Sequence, residues 1–255
     1  MTDVPVHDAA TVVLLRDGVD GAGVEAWLLT RVTQMAFAAG MTVFPGGRVD
    51  AADADLPFLG TAFTAVAARF GCDEPLARAL LGAAVRETFE ETGVLLSTPG
   101  ADLSALRGDV EDGRIGFGGL LREHGLAVDA DGLQPWARWV TPAGETRRYD
   151  TRFFVGALPP GAEAQDVTSE SSSASWVGVG AALEQAQRGE RVMLPPTLAT
   201  LASIVAHPTV ASVLAAAGVR SLEPVRPRIR TTDDGSVFAD LPDGSSVSIP
   251  RTMIR

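Results

Sequence analysis

Apolar residues crowd into two runs near the N-terminus, ATVVLLR at 10–16 and VEAWLLTRV at 24–32, separated by the polar, glycine-rich DGVDGAG. Such runs predict two strands around a turn. A third short strand, MTVF at 41–44, stops at Pro45-Gly46-Gly47, which breaks a strand and permits unusual backbone angles. The period then changes. In 56–70, Phe58, Ala62, Val66 and Phe70 recur at intervals of four, which predicts a helix. A second helix is predicted from Asp73 to Thr92, with Asp73 as N-cap, Pro75 in the first turn and Gly93 as C-cap. Beyond it, strands are predicted at 94–97, in WARWVTP, at 147–158 and in SWVGV (175–179), with helices at 179–188 and 197–206. Residues 100–134 mix short helical pieces with glycines. From Val225 the turn signals DDGS and PDGS separate alternating runs that read as β-hairpins. Helices interspersed with a mixed sheet exclude an all-α bundle.

The second helix poses a chemical question. Leu81, Val85 and Phe89 recur every four residues and define an inward face. Glu87, Glu90 and Glu91 occupy positions i, i+3 and i+4 and share another face. Like charges one turn apart repel by a few tenths of a kcal/mol or so. This group also sits at the negative end of the helix dipole, where each carboxylate loses roughly 0.3–1 kcal/mol. Arg86 can offset part of this by pairing with Glu90. A divalent cation removes the difficulty, because Mg²⁺ or Mn²⁺ takes hard oxygen ligands and carboxylates one turn apart can supply two or three. Such a seat suits phosphate chemistry, where the metal neutralises phosphate oxygens and activates water.

Composition narrows the choice. The chain is 255 residues long, 46% hydrophobic and 21% charged, enough to bury a sizeable core. Its net charge of −11 argues against a nucleic-acid partner, which needs a basic face. All 21 basic residues are arginine, which excludes a phosphate-loop lysine or a Schiff base. A single cysteine, Cys72, excludes a disulfide framework and fits a cytoplasmic compartment. Neither a membrane span nor a targeting sequence is expected.

The string Arg86-Glu87-x-x-Glu90-Glu91-x-Gly93-Val94 resembles the second half of the Nudix box, G-x5-E-x7-R-E-U-x-E-E-x-G-U, where U is bulky and apolar. Phe44-Pro45-Gly46-Gly47 resembles its entry, and Thr88 departs from the bulky apolar position. Gly47 lies 39 positions before Arg86 against 14 in the family, which implies an insertion of 25 residues containing the helix at 56–70. Counting from Gly47 puts Asp53 at the early box glutamate, and counting back from Arg86 puts Arg78 there; the role is assigned to neither. A long insertion at this point is similar to that of relatives of the peroxisomal coenzyme A diphosphatase. Residues 28–53, 147–159 and 193–201 resemble further segments of that branch. Leu28-Leu29-Thr30-Arg31 matches the start of its pre-box signature, whereas the Ser that follows there is absent unless Thr33 substitutes for it, and no His precedes Phe44-Pro45-Gly46-Gly47 at the matching place.

The resemblance implies an α/β fold, the Nudix α/β/α sandwich with a mixed sheet, helical insertions and C-terminal β-hairpins. It implies a single domain over 1–255, with insertions at 51–75 and about 100–134 and an extension at about 208–255. The implied activity is metal-dependent hydrolysis of a diphosphate linked to another moiety, on coenzyme A, acyl-coenzyme A or another nucleotide derivative such as NADH or ADP-ribose. The alternative is a module of the same fold that senses such a ligand. By resemblance Glu90, Glu91 and the Gly46 carbonyl hold Mg²⁺ or Mn²⁺. Glu87 is a further ligand or general base, Arg86 orients the glutamates, and Glu170 is a later catalytic carboxylate. Arg31, Arg48 and Gly47 are candidate substrate contacts, with Arg147, Arg148 and Arg152 as further phosphate-gripping candidates. Trp27, Trp136, Trp139 and Phe117 are candidates for stacking on a base or for burial. The extra surface could serve a homodimer, as in many relatives.

Overall fold

The computed structural model describes residues 4–32, 40–60, 62–166, 171–242 and 244–249. Strands β1 (Val6–Asp17) and β2 (Val24–Arg31) form the expected antiparallel pair, with Leu15 opposite Ala26. Two short strands complete this end of the sheet, β3 (Thr42–Val43) against β2 and β4 (Gly46–Arg48) against β1. A 3-10 turn at Ala51–Asp55 and strand β5 (Phe58–Leu59) lead into helix α1 (Ala62–Phe70). The helix read over 56–70 thus begins only at Ala62. Leu56-Pro57 is held extended instead, and the Pro57 carbonyl accepts the Val128 N–H at 2.7 Å.

Helix α2 (Glu74–Thr92) has the ends that the sequence implies. The Asp73 carboxylate accepts the Leu76 N–H, and Gly93 takes a left-handed conformation while its N–H caps Phe89. Strand β6 (Ser97–Thr98) is shorter and later than the strand read at 94–97; Val94, Leu95 and Leu96 enter the core instead. Helices α3 (Arg107–Glu111) and α4 (Phe117–Glu123) follow, then β7 (Ala127–Asp129), which joins β5 and β6 in a small sheet.

Strands β8 (Leu133–Val140), β9 (Arg148–Ala157) and β10 (Ser171–Gly178) complete the main sheet, in the order β10-β2-β1-β9-β8. Strand β9 runs parallel to β1 and the other pairs are antiparallel, so the sheet is mixed. Helices α5 (Val179–Gln187), α6 (Pro195–Ile204) and α7 (Val210–Ala217) come next. Helix α7 has no counterpart in the sequence reading; Thr209 starts it, accepting the Ser212 N–H. The hairpin signals give a three-stranded sheet, β11 (Arg228–Thr231), β12 (Val237–Asp240) and β13 (Ser246–Ile249).

Side chains of β1 alternate between two cores, as a strand buried on both faces requires. Ala10, Val12 and Leu14 meet Leu81, Val85 and Phe89 of α2 on one face. Val13 and Leu15 share the second core with Ala182, Leu201 and Val213 from α5, α6 and α7. Helices on both faces of one sheet make the α/β/α sandwich. Among the described residues, no helix is long and apolar enough to cross a membrane.

Candidate active site

With Leu81, Val85 and Phe89 fully buried, α2 can turn in only one way. That rotation brings its acidic face to the Pro45–Arg48 turn. The Gly46 N–H donates to Glu91 Oε2 at 2.9 Å, and Glu91 is 7% exposed. The Glu87 carboxylate lies against the Cα of Gly47, in space that any Cβ at that position would fill. Gly46 is equally confined, against Ala10 and Thr11 of β1. The two glycines are therefore required by close approach.

Arg86 organises the carboxylates. Its Nη1 donates to Glu87 Oε1 at 2.7 Å and to Glu90 Oε2 at 3.3 Å, and its Nη2 donates to the Arg48 carbonyl at 2.9 Å. Its other edge is gripped by Asp53, with Nε to Oδ1 at 2.8 Å and Nη2 to Oδ2 at 3.0 Å. Asp53 is only 2% exposed, and its Oδ2 also accepts the Asp50 N–H at 2.8 Å. Asp53 was left without a role in the sequence reading. Its signal was the count from Gly47, and the inserted residues put that count in conflict with the one back from Arg86.

The close fit of Asp53 depends on Gly82, one turn before Arg86 on α2. A methyl there would land inside the Asp53 carbonyl. Arg78, the rival for the early box position, instead donates to the Ala54 carbonyl and stacks over Phe58 and Phe63, which pins the insertion to α2. Thr88 is fully buried in a bulky apolar position; its hydroxyl is satisfied by the Ala84 carbonyl at 2.7 Å.

Burial pushes the Glu90 carboxyl up to about 7; Arg86 works against this, while the charges of Glu87 and Asp53 add to it. Burial lowers the affinity of Arg86 for its proton, but the hydrogen bond to Asp53 and the charges of Glu87, Asp53 and Glu90 outweigh it and hold the guanidinium well above its usual pKa. The donor set fits a hard divalent cation: three carboxylates within about one turn of helix face a glycine turn and offer hard oxygen ligands. Among the described residues no three acidic, His or Cys side chains already converge as ligands, since Arg86 draws Glu87 and Glu90 while the Gly46 N–H draws Glu91.

The remaining candidates are scattered. Arg31 ends β2 and is half-buried. Arg48 pairs with Ala9 on β1, so its side chain emerges on the sheet face away from α2, where Nη2 lies 3.4 Å from His7 Nδ1. Arg152 is no phosphate grip: it is buried, ion-paired with Asp8 and Asp150. Arg148 reaches the Val4 and Thr141 carbonyls, and Arg147 is exposed. Trp27, Trp136, Trp139 and Phe117 are all buried core residues, so none presents a face for a base. Glu170 lies outside the described residues; the strand that follows it starts at Ser171, earlier than the sequence reading placed it.

A family model described as the NUDT19 Nudix domain matches residues 60–204. An acyl-coenzyme A diphosphatase NUDT19 from Gallus gallus is 30% identical over 222 residues, covering 68% of this chain and 58% of that protein. A putative nudix hydrolase 7 from Caenorhabditis elegans is 30% identical over 176 residues, covering 66% and 52%. The chain thus spans little more than half the length of these curated relatives. A crystal structure of a NUDIX hydrolase from Alicyclobacillus acidocaldarius is 29% identical, with a TM-score of 0.71 over 87% of this chain and 99% of that one.

Proposed function

The chain belongs to the Nudix hydrolase family, and from that premise we propose that it is a divalent-metal-dependent hydrolase cleaving the diphosphate bond of a nucleoside diphosphate linked to a second moiety. Coenzyme A and acyl-coenzyme A are the first substrate candidates, because a matched relative is named as an acyl-coenzyme A diphosphatase. NADH, ADP-ribose or another nucleotide derivative is the alternative. The observation that supports hydrolysis is the set of three carboxylates from one helical face, two held by Arg86 and the third by the Gly46 N–H, against a turn that only glycines fit.

Glu90, Glu91 and the Gly46 carbonyl are the proposed ligands of Mg²⁺ or Mn²⁺, with Glu87 as a further ligand or the base that takes a proton from water. A bound ion would supply charge neutralisation at the phosphates and a more acidic water. Arg86 holds Glu87 and Glu90 in place through charge-assisted hydrogen bonds, and Asp53 holds Arg86. Gly47 leaves room for the Glu87 carboxylate to close on the turn, and its backbone is a proposed substrate contact. Arg31 is a proposed phosphate contact; Arg48 would reach a phosphate only from the opposite sheet face. Glu170 is proposed as the later carboxylate. Residues 1–255 form, in this reading, one cytoplasmic Nudix domain whose insertions at 51–75 and about 100–134 and extension at about 208–255 offer surface for a homodimer.

The test is a hydrolysis screen with Mg²⁺ and with Mn²⁺ over coenzyme A, acyl-coenzyme A, NADH, ADP-ribose, diadenosine polyphosphates and nucleoside triphosphates, with Glu91→Gln as the blank. Metal-dependent release of a phosphomonoester by the native protein alone is the expected result. Tight ligand binding without turnover, unchanged in Glu91→Gln, would replace the hydrolase with a sensor.

A further inference from the structure

Beyond Gly93 the chain leaves α2 through Val94 and Leu95, and a cleft of about 360 Å³ opens above this exit. Its volume falls within the roughly 300–1,000 Å³ of small-molecule sites. Val94 and Leu95 lie at its base, almost wholly buried, and Pro159, Pro160 and Ala162 supply apolar wall surface. The walls are two loops, around Gly100–Asp102 and around Pro159–Gln165. Both loop regions are tied to the end of the glutamate-bearing helix. The Gln165 N–H donates to the Thr92 carbonyl at 2.9 Å, and Arg107, just past the first loop, donates to the Glu90 carbonyl at 2.7 Å. Gly93 lies three residues past Glu90, about 4.5 Å along the helix axis at 1.5 Å per residue. The cleft thus adjoins the C-terminal end of the glutamate-bearing helix.

The cleft has one electrostatic sign. Its polar side chains are Asp102, Glu163 and Gln165, and among the described residues no arginine lines it. It opens at the C-terminal, negative end of α2. Such a site repels phosphate and offers acceptors to N–H or O–H groups above a strip for methylenes. We infer that this cleft holds the phosphate-free arm of the substrate, a neutral chain of methylenes and amide N–H or hydroxyl donors, for which pantetheine is the probe. This inference rests on the diphosphatase reading above and adds the end of the substrate that sets specificity.

Pantetheine carries no phosphate, so its binding can be read without turnover. Titrated into ¹⁵N-labelled full-length protein, it should shift the amide signals of Gly93, Gly100 and Gly161 saturably. The Asp102→Arg/Glu163→Arg double variant should abolish those shifts, and the milder Asp102→Asn/Glu163→Gln pair should weaken them while keeping the fold intact. In hydrolysis, the arginine variant should raise KM for coenzyme A at least fivefold and leave KM for a nucleoside triphosphate unchanged or lower. Absence of the glycine shifts, or shifts that survive the arginine variant, would overturn the cleft assignment even if coenzyme A were cleaved. Specific pantetheine binding with no hydrolysis of any panel member would support the cleft and sink the hydrolase.

Discussion

Replacing Asp53 by Asn removes the carboxylate that grips Arg86 by two hydrogen bonds of 2.8 and 3.0 Å, and it does so where Asp53 is 2% and Arg86 13% exposed. Breaking a buried pair commonly costs about 3–5 kcal/mol because the surviving charge is left without compensation. Here Arg86 keeps Glu87, Glu90 and the Arg48 carbonyl, so the loss should sit at the lower limit, about 3 kcal/mol. With a urea m-value near 3 kcal/mol/M, the unfolding midpoint should fall by about 1 M. The functional effect follows from the same charge count. Without Asp53 the guanidinium keeps the two glutamates, the Arg48 carbonyl and the exposed Asp50 carboxylate at 3.8 Å, so it competes harder with a cation for the glutamate oxygens and is less firmly oriented. The Mg²⁺ concentration for half-maximal hydrolysis should rise about tenfold, a change of 1.4 kcal/mol, and Asp53→Glu should recover part of both losses. Unchanged urea midpoint and unchanged metal dependence in Asp53→Asn would refute the view that Arg86 is set from the insertion side.

Gly82→Ala should gain up to about 1 kcal/mol of helix propensity but lose about 1–3 kcal/mol through overpacking against Asp53; net destabilisation in urea, with the same raised Mg²⁺ requirement, is expected. Gly47→Ala sets a methyl against the Glu87 carboxylate and forces it to turn away from Arg86 rather than disturbing backbone or core, so the thermal midpoint should stay within a few degrees while turnover falls about a hundredfold; full activity would exclude close approach at this turn. In the C-terminal sheet, Arg230 and then Ser246 hold the Asp240 carboxyl at about 2, well below its usual value. A depressed carboxylate pKa stabilises the fold above the unfolded-state value and loses that effect as pH falls through the folded-state value. The β11–β13 sheet should therefore weaken between about pH 4 and pH 2, and amide exchange in Asp240→Asn should lose this pH dependence.

What could be read from the sequence was set by local chemistry. Both ends of α2 carry their own signals in Asp73, Pro75 and Gly93, and its rotation is written in Leu81, Val85 and Phe89. The glutamate face followed from that rotation alone. The start of α1 was misread because the four-residue spacing begins at Phe58, which pairs with Val128 of β7 instead, while the preceding Pro57 carbonyl accepts the Val128 N–H. Asp53 was missed because its partner lies 33 residues away, so no local periodicity links them. The facing of Arg48 depends on strand register, which a two-glycine turn leaves open until β4 pairs with β1. Arg152 looked like a free cation because its partner Asp8 comes from the neighbouring strand β1, although Asp150 lies two residues away on β9 itself.

The grip between Asp53 and Arg86 also has a polymer meaning. It closes the base of a 33-residue segment, whereas the family spacing of the equivalent positions would close one of eight. Loop-closure entropy grows by about 0.6 kcal/mol per doubling of length, so two doublings add only roughly 1.2 kcal/mol. Burial of Val66 and Phe70 alone exceeds that, at about 1.5–3 kcal/mol for each buried side chain. The inserted residues between Asp53 and the start of α2 at Glu74 can then differ in length at little entropic cost, provided that Arg78, Leu81, Gly82 and Val85 on α2 are kept, which makes that stretch a natural place for lineages to diverge and for a designer to graft.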